Sequence, residues 1–258
     1  MADIKPDNYK RFLKKYTDLK GIDLLIADLN GVLRGKRIQT SALEKVFQEG
    51  LLLPASVFAG DITGATVEET GLGIAQGDSD RMCHPIPGTL SKSPWYKKSM
   101  AQVLMTMHEA DGNPFFADPR QVLKRIIDQF HELGFTAVVA VELEFYLLDI
   151  RRDRQKKPQP PISPVTGKRD KNTQVYSVDD LDDYGEFLDQ VAKGAESQGI
   201  PADTALAEYA PGQFEINLKH EADPLSACDN AILLKRLVKG VAREMVMIAT
   251  FMAKPYAQ

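Results

Sequence analysis

The chain has 258 residues, 43% hydrophobic and 26% charged, with 18 Gly and 15 Pro, proportions that exclude collagen-like, low-complexity and disordered readings. Its length allows one large domain or two small ones. With 32 Lys plus Arg against 36 Asp plus Glu, the formal charge of −4 gives no global field to gather nucleic acid or anionic lipid, so any charged ligand must be held locally.

In chain order, MADIKPDNYKRFLKKY carries charge where a signal peptide needs an apolar core, and no later run reaches the ~20 apolar residues of a membrane span. Tyr9, Phe12, Leu13, Tyr16 and Leu19 form an i, i+3, i+4, i+7 stripe, predicting a helix over residues 7–20 that opens at Pro6-Asp7 and stops at Gly21. A β-hairpin is expected next, from Leu24–Leu29 through a two-residue Asn30-Gly31 turn to Val32–Ile38. Ser41 and Glu44 have capping-box spacing for a short helix ending at Gly50. From Leu51 to Asn113, short apolar runs broken by Gly, Pro and Asp predict a strand-rich α+β domain. Asp118 is placed to cap a helix with Pro119 at its first position, an apolar face of Val122, Leu123, Ile126, Ile127, Phe130 and Leu133, and Gly134 as its stop. A boundary just before Asp118 divides the chain into domains 1–117 and 118–258. Beyond it, VVAVELEFYLLD reads as a strand and Arg151–Asn172 as a long charged loop. A helix from Ser177 to Gly199, strands at Thr204–Tyr209 and Gln213–Lys219, a long helix from Asp223-Pro224 and a strand at Ile248–Ala253 complete the second half.

Strand alternation puts Glu142 and Glu144 on one face with Val138, Ala140, Tyr146 and Leu148. Two carboxylates on a half-apolar face repel each other and lose hydration, which costs several kcal/mol per buried ion unless a cation or donor compensates. Either the two sit on a solvated edge, or a divalent metal lies between them. In ALAEYAPGQFEINL, Glu208 falls in register with Leu206 and Thr204, and Glu215 shares a face with Gln213 and Asn217. A hairpin through Pro211-Gly212 would bring Glu208 and Glu215 together, and four glutamates suit hard cations such as Mg²⁺ or Mn²⁺ better than zinc.

With these residues assembled, the sequence resembles the glutamine synthetase family, most closely its γ-glutamylputrescine synthetase branch. LIADLNGVLRGKRI, LPASVFAGDITGATVEETGLG, GDSDR, VVAVELEFYLLD, AEYAPGQFEINLKH, LLKRLVKGVA and ATFMAKPY carry the resemblance along nearly the whole chain. It implies an α+β fold, with an N-terminal β-grasp domain and the first part of a catalytic domain with an antiparallel sheet, assembled as a ring-shaped homo-oligomer with active sites between subunits. By the same resemblance, Glu144, Glu208 and Glu215 hold one Mg²⁺ or Mn²⁺ and Glu142 a second, while Asp203 lies near the nucleotide. Asp61, in Asp61-Ile62-Thr63-Gly64 where the family usually has Asp-Gly-Ser-Ser, matches a loop aspartate that reaches a neighbouring subunit's amine site. The implied reaction joins the γ-carboxylate of L-glutamate to an amine, putrescine or ammonia, through an ATP-derived γ-glutamyl phosphate. The family's later ligands, a histidine, phosphate-binding arginines and a final glutamate, would lie beyond Gln258. The chain is therefore expected to be the N-terminal portion of a longer protein, inactive alone.

A non-catalytic scaffold or assembly subunit on the same fold is the reading from another class. The basic run Arg151, Arg152, Arg154, Lys156, Lys157, Lys168, Arg169 and Lys171 is expected to be a solvated loop, not a nucleic-acid patch. His220 follows the metal strand, within possible reach of a nucleotide base. Cys83 and Cys228 lack disulfide or metal spacing, which fits a cytoplasmic protein, and Cys228 is expected in the core.

Overall fold

In the computed structural model, which describes residues 8–255, the chain divides at Ala137/Val138 into two units, each built on its own sheet. The first helix, α1 (Asn8–Lys15), ends before its stripe does, and its expected opening at Pro6-Asp7 lies outside the described residues. Leu19 enters the core from the turn that follows, and Gly21 begins β1 (Gly21–Ala27) instead of stopping the helix. The hairpin to β2 (Leu33–Ile38) forms, but its loop spans Asp28 to Val32. Asp28 imposes that length: Oδ1 accepts from Asn30 N (2.9 Å) and Val32 N (2.8 Å), and Oδ2 from Arg34 Nε (3.0 Å). A 3-10 turn at Thr40–Ala42 leads into α2 (Leu43–Glu49). The capping box is not made, because Ser41 lies within that turn and no side chain caps either helix start.

β3 (Leu51–Pro54), β4 (Asp80–Pro85), β5 (Ser91–Lys92) and β6 (Met100–His108) complete a sheet ordered β2-β1-β6-β4-β3, with β5 on β6. The central β1–β6 pair is parallel and the rest are antiparallel. Ile22, Leu24 and Ile26 of β1 and Ala101, Val103, Met105 and Met107 of β6 share one face, buried with Leu43 and Val46 of α2. A mixed sheet with a helix across one face is the arrangement the β-grasp expectation describes.

α3 (Pro119–Glu132) is capped as predicted, and the cap does more than start a helix. Asp118, 2% exposed, accepts from Arg120 N through Oδ1 (2.9 Å), and from Thr106 Oγ1 and Met107 N through Oδ2 (2.8 Å each). Gln121 Nε2 donates to the same Thr106 hydroxyl (2.7 Å). The helix is thereby bolted to β6, so the contact division falls after α3, at Ala137, while the sequence boundary falls before it. Val122, Ile126 and Phe130, expected as a buried face, are exposed.

In the second unit, β7 (Glu142–Asp149) starts later than predicted, Val139 making only an isolated bridge to Glu221. Asp149 pins the basic loop, accepting from Arg151 N (2.8 Å) and pairing with Arg169 (2.7 Å). The helix expected from Ser177 to Gly199 is two, α4 (Val178–Asp183) and α5 (Gly185–Gln198), broken at Tyr184, whose φ of −113° leaves the helical range. β8 (Ala202–Ala207), β9 (Gln213–Leu218), α6 (Pro224–Glu244) and β10 (Met247–Thr250) follow, giving an antiparallel sheet ordered β10-β7-β9-β8. Cys228 is exposed, not core, because α6 buries the face of Ala227, Leu234, Val238 and Val241, and Cys228 is turned out of that stripe. No helix among the described residues is long and apolar enough to cross a membrane.

The Asp118 cap gives a direct test of the first unit. Asp118→Ala removes three accepted hydrogen bonds in a buried setting, and a loss of about 2–4 kcal/mol in unfolding free energy is expected from urea titration. A loss below about 0.5 kcal/mol, the level of a surface substitution, would contradict the anchoring role.

Candidate metal centre

Alternation splits the second sheet into two chemically distinct faces. Phe145 and Leu147 of β7 and Phe214, Ile216 and Leu218 of β9 are buried; Phe145 meets Phe187 of α5 at 6.0 Å between ring centroids, and Tyr184 meets Phe214 edge-on at 5.3 Å. The opposite face carries Glu142, Glu144 and Tyr146 beside Gln213, Glu215 and Asn217. Register pairs Glu144 with Glu215, Glu142 with Asn217 and Tyr146 with Gln213. Directly opposed residues stand with Cβ atoms about 4.5–5.5 Å apart, so like charges there repel. On β8, Leu206 lies opposite Glu215, and Glu208, just past the strand end, donates its N–H to Gln213 O (2.8 Å).

The β8–β9 turn fixes this arrangement. Gly212 adopts φ +72°, and a Cβ there would lie 2.8 Å from Leu147 O; Leu147 N donates to Gly212 O (2.8 Å). The turn is thus laid directly on β7, where only glycine combines a positive φ with so close a backbone approach. Gln213 adds a side-chain tie, accepting from Ala210 N (3.0 Å) and donating to Glu144 Oε2 (2.9 Å).

The electrostatics follow from this register. Glu215 is 9% exposed, and its carboxyl is pushed above its ordinary value first by burial, then by Glu142, Glu208 and Glu144, against a hydrogen bond from Asn217. Burial and then Glu144 and Glu208 likewise raise the Tyr146 phenol. Glu142, Glu144 and Glu208 thus each add negative charge around Glu215. They do not form a closed cage as placed: among the described residues no three His, Cys, Asp or Glu side chains are close enough to hold an ion. The backbone supplies a common face, and holding an ion there would require rotation of exposed Glu142 and Glu144 and half-buried Glu208.

The donor set fits a hard divalent cation. It is all oxygen, it gathers like charges whose mutual repulsion a cation would relieve, and the buried Asn217 Oδ1, opposite Glu142, has no hydrogen-bond partner. Alternation places Gln213 and Asn217 on one face with Glu215, but spacing gives a face and not a rotamer, so the bond from Gln213 to Glu144 emerges only in the structure.

The other predicted residues lie elsewhere. Asp203 is the extra residue of a bulge between Ala202 and Thr204, and it lines a cavity of about 250 Å³ with Glu196, Val191 and Ile200, beside α5. His220 is exposed beyond β9. Asp61 belongs to the first unit, in an exposed loop where its Oδ1 accepts from Thr63 Oγ1 (2.7 Å), Thr63 N (2.8 Å) and Ala65 N (3.0 Å). The Thr63 hydroxyl first, then the Ala65 amide, hold its carboxyl below its ordinary value.

An oxygen-lined face on an antiparallel sheet, following a unit built on a mixed sheet, defines a class that comparison makes specific. The sequence profile of the glutamine synthetase catalytic domain matches residues 116–258, and the chain belongs to that family. Among curated relatives, it is 49% identical over 249 residues to γ-glutamylputrescine synthetase PuuA of Escherichia coli (strain K12), covering 96% of this chain and 52% of the relative. It is 33% identical to glutamate–isopropylamine ligase of a Pseudomonas species, covering 96% of this chain and 53% of that protein. The chain spans about half the length of these relatives. The fold matches that of the GmaS/ADP complex with a TM-score of 0.77 at 24% identity, over 97% of this chain and 52% of the other.

A face of clustered carboxylates changes stability in a defined direction. Because the folded Glu215 carboxyl titrates above its unfolded value, it favours the fold below the unfolded pKa and loses that contribution as pH rises through the folded one. At neutral pH, Glu215→Gln is expected to raise the melting temperature of the metal-free protein. Saturating Mn²⁺ should raise that of the wild type by roughly 5 °C or more and leave the variant nearly unmoved. Equal Mn²⁺ shifts in scanning calorimetry of both proteins would contradict the assignment.

Proposed function

We propose that the full-length protein is an ATP-dependent ligase that joins the γ-carboxylate of L-glutamate to an amine, putrescine in preference to ammonia, through a γ-glutamyl phosphate. The observation that carries this reading is the Glu144–Glu215 rung flanked by Glu142 and Glu208, in a chain of the glutamine synthetase family. The preference for putrescine rests on the 49% identity to a γ-glutamylputrescine synthetase.

Glu144, Glu208 and Glu215 would hold one Mg²⁺ or Mn²⁺, and Glu142 would contribute to a second. Ions held by these residues would neutralise phosphate charge so that an anionic carboxylate could attack phosphorus. In the first step a glutamate γ-oxygen takes the γ-phosphoryl group of ATP and ADP leaves. In the second, the amine nitrogen attacks the acyl carbon, inorganic phosphate leaves and the nitrogen gives up a proton. Asp61 is the candidate acceptor for that proton or for the ammonium charge, in a neighbouring subunit of a ring-shaped homo-oligomer. Its Oδ1 is occupied by its own loop and its lowered pKa keeps it ionised, which leaves Oδ2 to face a cation. Asp203 and His220 are assigned to the nucleotide side. The proposed compartment is the cytoplasm.

Release of ADP and phosphate by the full-length protein, measured with glutamate and either putrescine, ammonia or isopropylamine, tests the reading. Putrescine is expected to give a kcat/KM about tenfold or more above ammonia, a difference of ~1.4 kcal/mol. Glu144→Gln should lower kcat by about 100-fold or more. Turnover with ammonia alone would refute the amine assignment, and full activity of the variant would refute the site.

A further inference from the structure

We propose that Gln213 is a positioning residue of the metal site, fixing one oxygen of Glu144 so that the other is presented to the cation. The inference rests on the metal-binding reading of the glutamate face.

Gln213 is 8% exposed and both ends of its carboxamide are used. Its Oε1 accepts from the buried Ala210 N–H (3.0 Å), and its Nε2 donates to Glu144 Oε2 (2.9 Å). The first bond settles the orientation of the amide: an N–H can only be met by the oxygen, so the nitrogen must face Glu144. An ionised carboxylate only accepts, which makes the second contact a charge-assisted bond. Gln213 N also donates to Ala210 O (2.9 Å), so the same residue closes the β8–β9 turn with its main chain and reaches the neighbouring strand with its side chain.

No other side chain of this length meets both demands. Glutamate would set an acceptor against Glu144, lysine would set a donor against the Ala210 N–H, and methionine would satisfy neither. Glu144 is exposed, and without this bond its torsions would be free at the place where ligand geometry is needed.

Titration calorimetry of the full-length protein with Mn²⁺ tests the role, using Gln213→Met, Gln213→Glu, Glu144→Gln and the Gln213→Met/Glu144→Gln double variant. Gln213→Met should bind about 10- to 100-fold more weakly than wild type. The double variant should be no weaker than Glu144→Gln alone, because Gln213 acts through Glu144. Gln213→Glu adds a negative charge to the face, which simple attraction would turn into tighter binding; positioning predicts weaker binding, and this arm stands if the methionine variant fails to fold. Unchanged affinity in Gln213→Met, additive losses in the double variant, or tighter binding by Gln213→Glu each overturns the proposal. Loss of affinity in Glu144→Gln beside an intact Gln213→Met refutes positioning alone. Wild-type affinity in Glu144→Gln refutes the metal reading and the positioning role together.

Discussion

Everything distinctive in the second unit depends on one unfavourable pairing, a glutamate set opposite a glutamate in an antiparallel register. Glu144 and Glu215 share a rung, with Glu142 and Glu208 beside them. A face selected only for stability would not keep that repulsion next to the nearly buried Glu215, because like charges directly opposite one another destabilise a sheet. The pair is tolerated because the other face is a packed aromatic and aliphatic layer, Phe145 against Phe187 and Phe214, that holds the strands in place regardless of the charges above it. One face supplies the folding energy and the other carries the clustered carboxylates.

The turn between β8 and β9 joins these two demands. Gly212 allows the chain to touch the backbone of β7, and Gln213 immediately begins the strand that carries Glu215. The short sequence from Glu208 to Glu215 thus contains two carboxylates, the turn that turns them toward β7, and the amide that secures a third carboxylate on the neighbouring strand. The proposal of a divalent-cation site rests on this economy: backbone geometry sets the glutamates on and beside one face, and side-chain rotation about a hard ion would bring their oxygens together.

Much of this was legible in the sequence because it depends on periodicity of two and on turn chemistry. Alternation placed Glu142 with Glu144 and Glu215 with Gln213 and Asn217, and Pro211-Gly212 marked the reversal. The Asp118-Pro119 helix start was readable for the same reason, since a cap is a local event. What was not legible is decided by longer-range partners. Asp28 lengthened a hairpin that Asn30-Gly31 alone would have made tight, and Tyr184 broke a helix by turning into the Phe214 cluster. Asp118 reaches back to Thr106 and Met107, a tie between α3 and β6 that local spacing does not give. The α3 stripe shows a further limit: helical spacing identifies an apolar face, but Val122, Ile126 and Phe130 are exposed. Family membership came from the combination of segments, whose ordered set is specific where each one alone is weak.

The most direct measurement of the central claim is anomalous X-ray diffraction from crystals of the full-length protein grown with Mn²⁺, collected at an energy where manganese scatters anomalously. The account predicts a manganese peak above the β7–β9 face, with carboxylate oxygens of Glu144, Glu208 and Glu215 within roughly 2.5 Å, the reach of hard-cation coordination. Manganese bound only at other carboxylates, with these three side chains turned into solvent, would contradict it.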